Sequence, residues 1–141
     1  MRATIKWVDN VMFIGQSGSG HSVVIDGPPQ AGGENAGIRP MELMLVGLGA
    51  CTSFDVVTIL KKSRQDVTDC HAELEAERAE EIPQVFTRIH VHFVVSGHQL
   101  KSKQVERAVK LSADKYCSAS IMMAKTAVIT HDFEIIEAEI N

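Results

Sequence analysis

Pro40-Met41-Glu42-Leu43-Met44-Leu45-Val46-Gly47-Leu48-Gly49-Ala50-Cys51 is the stretch around which the rest of the chain must be arranged. Pro40 presets the backbone of a first helical turn, and Glu42 places negative charge near the positive end of the helix dipole. The pattern predicts a helix from Pro40 to about Lys62, closed by the basic run Lys61-Lys62-Ser63-Arg64 at its negative end. Its first half has no polar face. A helix of that kind is expected to be buried on every side and therefore central. Gly47, Gly49 and Ala50 weaken it, which is tolerable where another backbone crosses closely.

Upstream, the alternation of Thr4, Ile5, Lys6 and Trp7, and of Phe13 through Ile25, predicts a meander of two or three strands turning through Gly15–Gly20. Residues 27–39 have no periodicity and read as a mobile loop. Downstream, Ala72, Leu74 and Ala76 alternate with Glu73, Glu75 and Glu77. Ile89, Val91, Phe93 and Val95 alternate with Arg88, His90 and His92. These are two long strands joined through Glu80–Gln84. Ser102–Tyr116 has the apolar stripe of a second helix, in Val105, Ala108, Val109, Ser112 and Ala113. A last strand is predicted over Ala127–Ile140. The order βββ-α-ββ-α-β implies one α+β domain over residues 1–141 with mainly antiparallel strands. One sheet and one amphipathic helix cover the central helix only partly, so a second copy of the chain is expected to bury the rest.

A chain of 141 residues, 45% hydrophobic, can bury its own core. Three cysteines without a CxxC pair are not a secreted disulfide framework and point to a reducing, cytoplasmic setting. A net charge of −4, no basic stripe, one Trp, one Tyr and five Phe argue against nucleic acid as a partner. Met1–Lys6 runs directly into strand alternation, unlike a signal peptide. The apolar stretch Leu43–Cys51 is too short to span a bilayer, so no membrane partner is expected.

Taken alone, Cys51 is a small hydrophobe in a core helix. Asp55, one turn away, does not fit that reading: a carboxylate there must find a cation or a donor. Lys115, Lys125 and Arg107 are candidates among which the sequence does not choose. Cys117 ends the second helix, ahead of Ser118 and Ser120, where a thiol is expected to be accessible. Cys70, beside Asp69 at a strand start, reads as a bystander.

Together, Pro-x-Glu-Leu with a small-residue helix running to Ala-Cys, and Ala-x-x-x-Cys-x-x-Ser near the second thiol, resemble the OsmC/Ohr family along essentially the whole chain. The resemblance implies an intertwined homodimer, with antiparallel sheets wrapped around long central helices. It implies a peroxidase that reduces organic hydroperoxides in oxidative stress defence, needs no cofactor and is regenerated by a dithiol such as a lipoyl group. Cys51 matches the family's peroxidatic thiol and Cys117 its resolving thiol. Two positions depart from the family pattern. Met41 stands where Glu usually follows Pro, and Glu42 is displaced by about 100° around the helix, roughly 13 Å along the axis from Cys51. No arginine lies between Arg2 and Arg39 to supply the activating cation from the N-terminal strands, which leaves Arg39 as the nearest substitute. Peroxide reduction is accordingly expected to be slow at neutral pH and faster as pH rises. A redox-sensing or small-ligand-binding protein with little turnover is the alternative function.

Met41, Met44 and Met122 flank the cysteine segments and are candidates for an apolar substrate surface. His90-Val91-His92 puts two imidazoles on one strand face, but spacing places no third metal ligand. No metal site is therefore assigned. A Gly-x-Ser-x-Gly elbow is absent, and Gly15-x-x-Gly18-x-Gly20 precedes no helix, so neither a hydrolase nor a phosphate loop is indicated.

Overall fold

In the computed structural model, which describes residues 1–139, the N-terminal alternation becomes three antiparallel strands. They are β1 (Ala3–Asp9), β2 (Met12–Ser17) and β3 (Ser22–Ile25), in the order β1-β2-β3. The turn after β2 starts later than the sequence predicts. Gly15 and Gln16 are paired on both sides, Gly15 with Ile5 and Val23, and the reversal falls at 18–21.

Residues 27–39 are not the structureless loop their composition predicts. They contain a short 3₁₀ turn, Pro29–Ala31, and are gathered around the carboxylate of Asp26, which is only 2% exposed. Asp26 Oδ1 accepts the Gly27 N–H at 2.7 Å, and Oδ2 accepts those of Glu34 and Ala36 at 3.0 Å each. Gly33 is obligatory here, since a Cβ would lie 2.0 Å from the Gly27 carbonyl oxygen. An anion that accepts several N–H groups is the motif that holds such a loop.

The helix α1 (Pro40–Lys62) starts where Pro40 predicts. The Arg39 N–H donates to Glu42 Oε2 at 3.0 Å, closing the first turn as a capping box does. Contact within the chain divides at α1, into units Met1–Val46 and Gly47–Asn141. The expectation of burial on all sides is not met within one chain. Leu48, Thr52, Val56 and Leu60 form one fully buried stripe at four-residue spacing. Met44, Val46 and Phe54 remain exposed, Phe54 at 72%. By length and composition the whole helix could also cross a bilayer, with a mean hydropathy of 1.9 over its best 18 residues. The estimate from Leu43–Cys51 alone missed this, because the apolar character continues through Val56–Leu60.

The second unit holds β4 (Asp66–Arg78), β5 (Phe86–His98) and β6 (Val128–Glu137) in the order β4-β5-β6. β4 and β5 are antiparallel, while β6 runs parallel to β5. The helices between β5 and β6 provide the crossover that a parallel pair requires. They are α2 (Ser102–Leu111), a π-helical turn (Ser112–Tyr116) and α3 (Ser118–Met123). The predicted second helix thus stops at Leu111, and the predicted last strand is shorter, with Ile140 outside the described residues. Ile89, Val91, Phe93 and Val95 of β5 are buried, as are Val105, Ala108 and Val109 of α2. Ala76, expected to face inward, is exposed near the end of β4. Gly49 permits the close approach of α1 to this sheet: a Cβ there would meet Leu74 Cδ1 at 2.8 Å.

The Asp26 cluster makes the first unit acid-sensitive. The Ala36 N–H is the main influence holding the Asp26 carboxyl below its usual range. The Gly27 and Glu34 N–H groups and the Arg39 charge add to it, against the opposing effect of burial. Its stabilisation is therefore present above the ordinary carboxylate value of about 3.9 and is lost as pH falls through the lower folded value. Replacing Asp26 with Asn should accelerate amide exchange at Gly27, Glu34 and Ala36 at neutral pH. Unchanged protection at those three amides would show that the loop is held otherwise.

Candidate thiol site

Cys51 lies in α1, one residue before the buried stripe position Thr52, and is half-buried. Cys117 reaches it because of the π-helical turn. That turn ends as the Cys117 N–H donates to the Ser112 carbonyl at 2.9 Å, and the backbone then leaves the helix at Cys117 (φ −73°, ψ 100°). Cys117 is thus a junction: its Sγ accepts the Ser120 N–H at 3.4 Å and caps α3. The two sulfurs and an Asp55 carboxylate oxygen all lie within 4.8 Å of one another, and both thiols are free. Cys117 is completely buried, which corrects the expectation of an accessible helix-end thiol. Cys51 is the more open of the pair.

A buried hydroxyl pair fixes this meeting. Thr52 Oγ1 and Ser112 Oγ are 2.8 Å apart with both residues fully buried, and Ser112 Oγ is 3.2 Å from Asp55 Oδ2. A hydroxyl bonds most strongly to an ionised acceptor, so Ser112 donates to Asp55 and accepts the proton of Thr52. The partner of Asp55 is therefore a hydroxyl, and among the described residues no lysine or arginine lies within salt-bridge distance of it. Ser112 was read only as part of an apolar stripe. The missed signal was a serine in one apolar stripe and a threonine in another, each needing a partner once buried.

Burial is the main reason the Cys117 thiol is pushed up to about 11, followed by its hydrogen bond with Cys51, against the opposing Ser120 N–H, and then by the charges of Cys51 and, last, Asp55. Cys117 therefore stays protonated at neutral pH. Cys70 is half-buried on β4, opposite Val95, and is also shifted upward, by burial and then by Asp69. Two thiolates and a carboxylate could alternatively ligate a thiophilic divalent ion, which would need a fourth ligand from elsewhere. Beside Asp55 a cleft of about 370 Å³ opens between α1 and α2, with Lys62, Arg107, Leu111 and Tyr116 in its wall.

The other predicted site residues are less closely tied together. Arg39 donates from Nη1 to the Gly37 carbonyl at 3.1 Å and from Nη2 to Asn35 Oδ1 at 2.8 Å, in addition to its backbone bond to Glu42. Met41 is half-buried, while Met44 and Met122 are 49% and 67% exposed.

In this α+β chain a half-buried thiol borne on a long helix thus faces a buried thiol at the head of a short one. The sequence model of the OsmC family, described as OsmC-like protein, matches residues 32–132. The chain is 48% identical to Protein YhfA of Escherichia coli strain K12, over 98% of this chain and 100% of that protein. A hypothetical protein from Aquifex aeolicus VF5 superposes with a TM-score of 0.86 at 31% identity, over 98% of this chain and 97% of that one. An organic hydroperoxide resistance protein OsmC from Legionella pneumophila shares the fold, with a TM-score of 0.72 at 16% identity over 94% and 95%. The chain belongs to the OsmC family.

The hydroxyl pair makes distinct demands on stability. Replacing Ser112 with Ala strands the Thr52 hydroxyl and removes the donor of Asp55, and should cost about 1–3 kcal/mol. Thr52→Val keeps the shape and leaves Ser112 on Asp55, and should cost about 1 kcal/mol. The double variant should lose less than the sum of the two, since the pair is removed together. Urea midpoints at unchanged m-value measure all three, and strict additivity would show that the hydroxyls do not interact.

Proposed function

We propose that the chain is a thiol-dependent peroxidase that reduces organic hydroperoxides through a dithiol–disulfide cycle between Cys51 and Cys117. The observation that carries the reading is the meeting of both sulfurs within 4.8 Å at a site where one thiol is open and the other buried. In the first step the Cys51 thiolate attacks the outer peroxide oxygen. An S–O bond forms, the O–O bond breaks, and the alkoxide leaves as alcohol after taking a proton, with Cys51 oxidised to sulfenic acid. The Cys117 sulfur then attacks Cys51, forming the disulfide and releasing water from the Cys117 proton and the departing hydroxide. A dithiol of the lipoyl type returns both cysteines to thiols by exchange. Arg39, the nearest substitute for the family's activating arginine, and the displaced Glu42 complete the proposed catalytic set. Met41, Met44 and Met122 are assigned to the substrate's apolar tail. Three free thiols accord with a cytoplasmic location.

A redox sensor with little turnover is the second reading, and Asp55 favours it: its charge helps to hold Cys117 as a thiol, which slows resolution. Dithiol-dependent consumption of tert-butyl or cumene hydroperoxide separates the two. A peroxidase should turn over in the wild type, lose all activity in Cys51→Ser, and in Cys117→Ser stop after one oxidation per chain. Mild peroxide should link Cys51 to Cys117 and leave Cys70 free to alkylate. Disulfide formation without turnover supports the sensor, and Cys70 in the mapped disulfide overturns the pairing.

The active form in this reading is a homodimer, with the second copy covering the apolar surface that one chain leaves open. Ile5 and Trp7 of β1 are 59% and 62% exposed, and Phe54 of α1 is 72% exposed. Surfaces of that kind are normally buried against a partner. Light scattering at micromolar concentration should give twice the chain mass, and a clean monomer would remove the dimer from the proposal.

A further inference from the structure

Cys51 and Asp55 stand one turn apart on α1 and so share a helix face, while Cys117 arrives from a distant segment at the head of α3. One ligand atom from each, two sulfurs and a carboxylate oxygen, lie within 4.8 Å of one another. Spacing along the chain does not announce this set, because its third member is delivered by the π-helical turn Ser112–Tyr116. We propose that reduced Cys51 and Cys117, together with Asp55, form a binding site for one thiophilic divalent ion of the zinc type, with a water as the fourth ligand.

Two sulfurs about 2.3 Å and an oxygen about 2.0–2.2 Å from a tetrahedral ion sit roughly 3.6–3.8 Å from one another, so this set closes on an ion through side-chain shifts of about 1 Å at most. Asp55 is half-buried, and among the described residues no lysine or arginine lies within salt-bridge distance of it, which leaves its charge available to a cation. A pair made only to form a disulfide has no use for a carboxylate in that place. Outer partners already hold two of the ligands. Ser112 Oγ donates to Asp55 Oδ2 at 3.2 Å, and the Ser120 N–H donates to Cys117 Sγ at 3.4 Å. Bonds of that kind orient the groups that bind a metal. Asp55 also lines the cleft of about 370 Å³ between α1 and α2, which gives the ion and its water a way in. Two thiolates and a carboxylate on a divalent ion leave one negative charge, and Lys62 and Arg107 in the cleft wall offset it. The same two sulfurs cannot hold the ion and each other. Oxidation of the loaded pair by a hydroperoxide takes one electron from each thiolate, forms the S–S bond, breaks the O–O bond to give alcohol and water with two protons from solvent, and frees the ion. That release rests on the dithiol cycle proposed above, whereas the binding does not.

Titration of the reduced protein with Co²⁺ in the absence of any peroxide, followed by absorption and calorimetry, tests the site without reference to turnover. The expected result is one Co²⁺ per chain, with a thiolate-to-cobalt charge-transfer band, tetrahedral d–d bands, proton release and displacement by Zn²⁺. Oxidation with diamide should abolish binding, and reduction should restore it. Cys51→Ser, Cys117→Ser and Asp55→Asn should each weaken binding by more than the roughly tenfold that loss of an outer partner costs, and Cys70→Ser should leave it unchanged. No saturable binding at millimolar Co²⁺ would overturn the proposal, as would d–d bands without a charge-transfer band. Binding that survives diamide, or that is lost in Cys70→Ser, would place the ion elsewhere and overturn it as well. The wild-type spectrum and its response to diamide decide the matter even if a variant does not fold. A protein that binds cobalt but consumes no hydroperoxide would sink the peroxidase reading alone, and the reverse result would sink the metal site alone.

Discussion

The buried contact between Thr52 and Ser112 sets the rest of the thiol site. It joins α1 to the end of α2 at one point, with 2.8 Å between two hydroxyl oxygens that have no access to water. Because each hydroxyl would be costly if unpaired, the two helices cannot slide or rotate past one another without breaking the bond. Cys51 precedes Thr52 and Asp55 follows it by one turn, so fixing Thr52 fixes both. On the other side, Ser112 opens the π-helical turn that carries the chain to Cys117. Insertions of this kind in helices often occur where function requires a side chain to be re-aimed. Here the turn changes a helix-end thiol into a buried one.

The elements were legible in the sequence where a single periodicity governed them. Pro40 marked the start of α1, and the alternation of Ile89, Val91, Phe93 and Val95 marked the buried face of β5. What was not legible depended on pairing between distant segments. Nothing in Ala127–Ile140 says that β6 lies parallel to β5, and only that register brings Asp132 to His92. The π-helical turn is hidden because Ser112–Tyr116 continues the amphipathic pattern of α2 closely enough to look like one helix. Asp26 was missed for a related reason. It follows a strand and looks like an ordinary turn residue, yet it takes N–H groups from as far along the chain as Ala36. Composition read the glycines and prolines of 27–39 as freedom, whereas Gly33 is there to let two backbone segments touch.

The apolar character of α1 also had more than one physical reading. Composition alone cannot distinguish a helix buried in its own chain from one completed by a partner or by lipid, because all three remove the same surface from water. The geometry separates a stripe that the chain covers, Leu48 through Leu60, from residues such as Phe54 that it does not. Thr52 and Asp55, both hydrogen-bonded to Ser112, give the helix a polar side engaged within the fold. The proposed homodimer takes the partner reading, in which a second protein surface covers Phe54.

Asp55 looks at first like an obstacle to thiol chemistry, because its charge opposes ionisation of Cys117. Its position argues for a division of labour instead. A dithiol in which both members ionised together would repel itself and offer two competing nucleophiles. Burial, the hydrogen bond to Cys51 and the Asp55 charge all act on Cys117 in the same direction, holding it as a thiol with a proton to give. Ser112 takes up part of the carboxylate's demand, so the charge can remain in a half-buried place without a cation beside it. In the proposed cycle this asymmetry sets the order of events: the open sulfur meets the peroxide first, and the buried one can act only on its neighbour. A thiol that never faces solvent is protected from over-oxidation, which is a useful property in the resolving member of a pair.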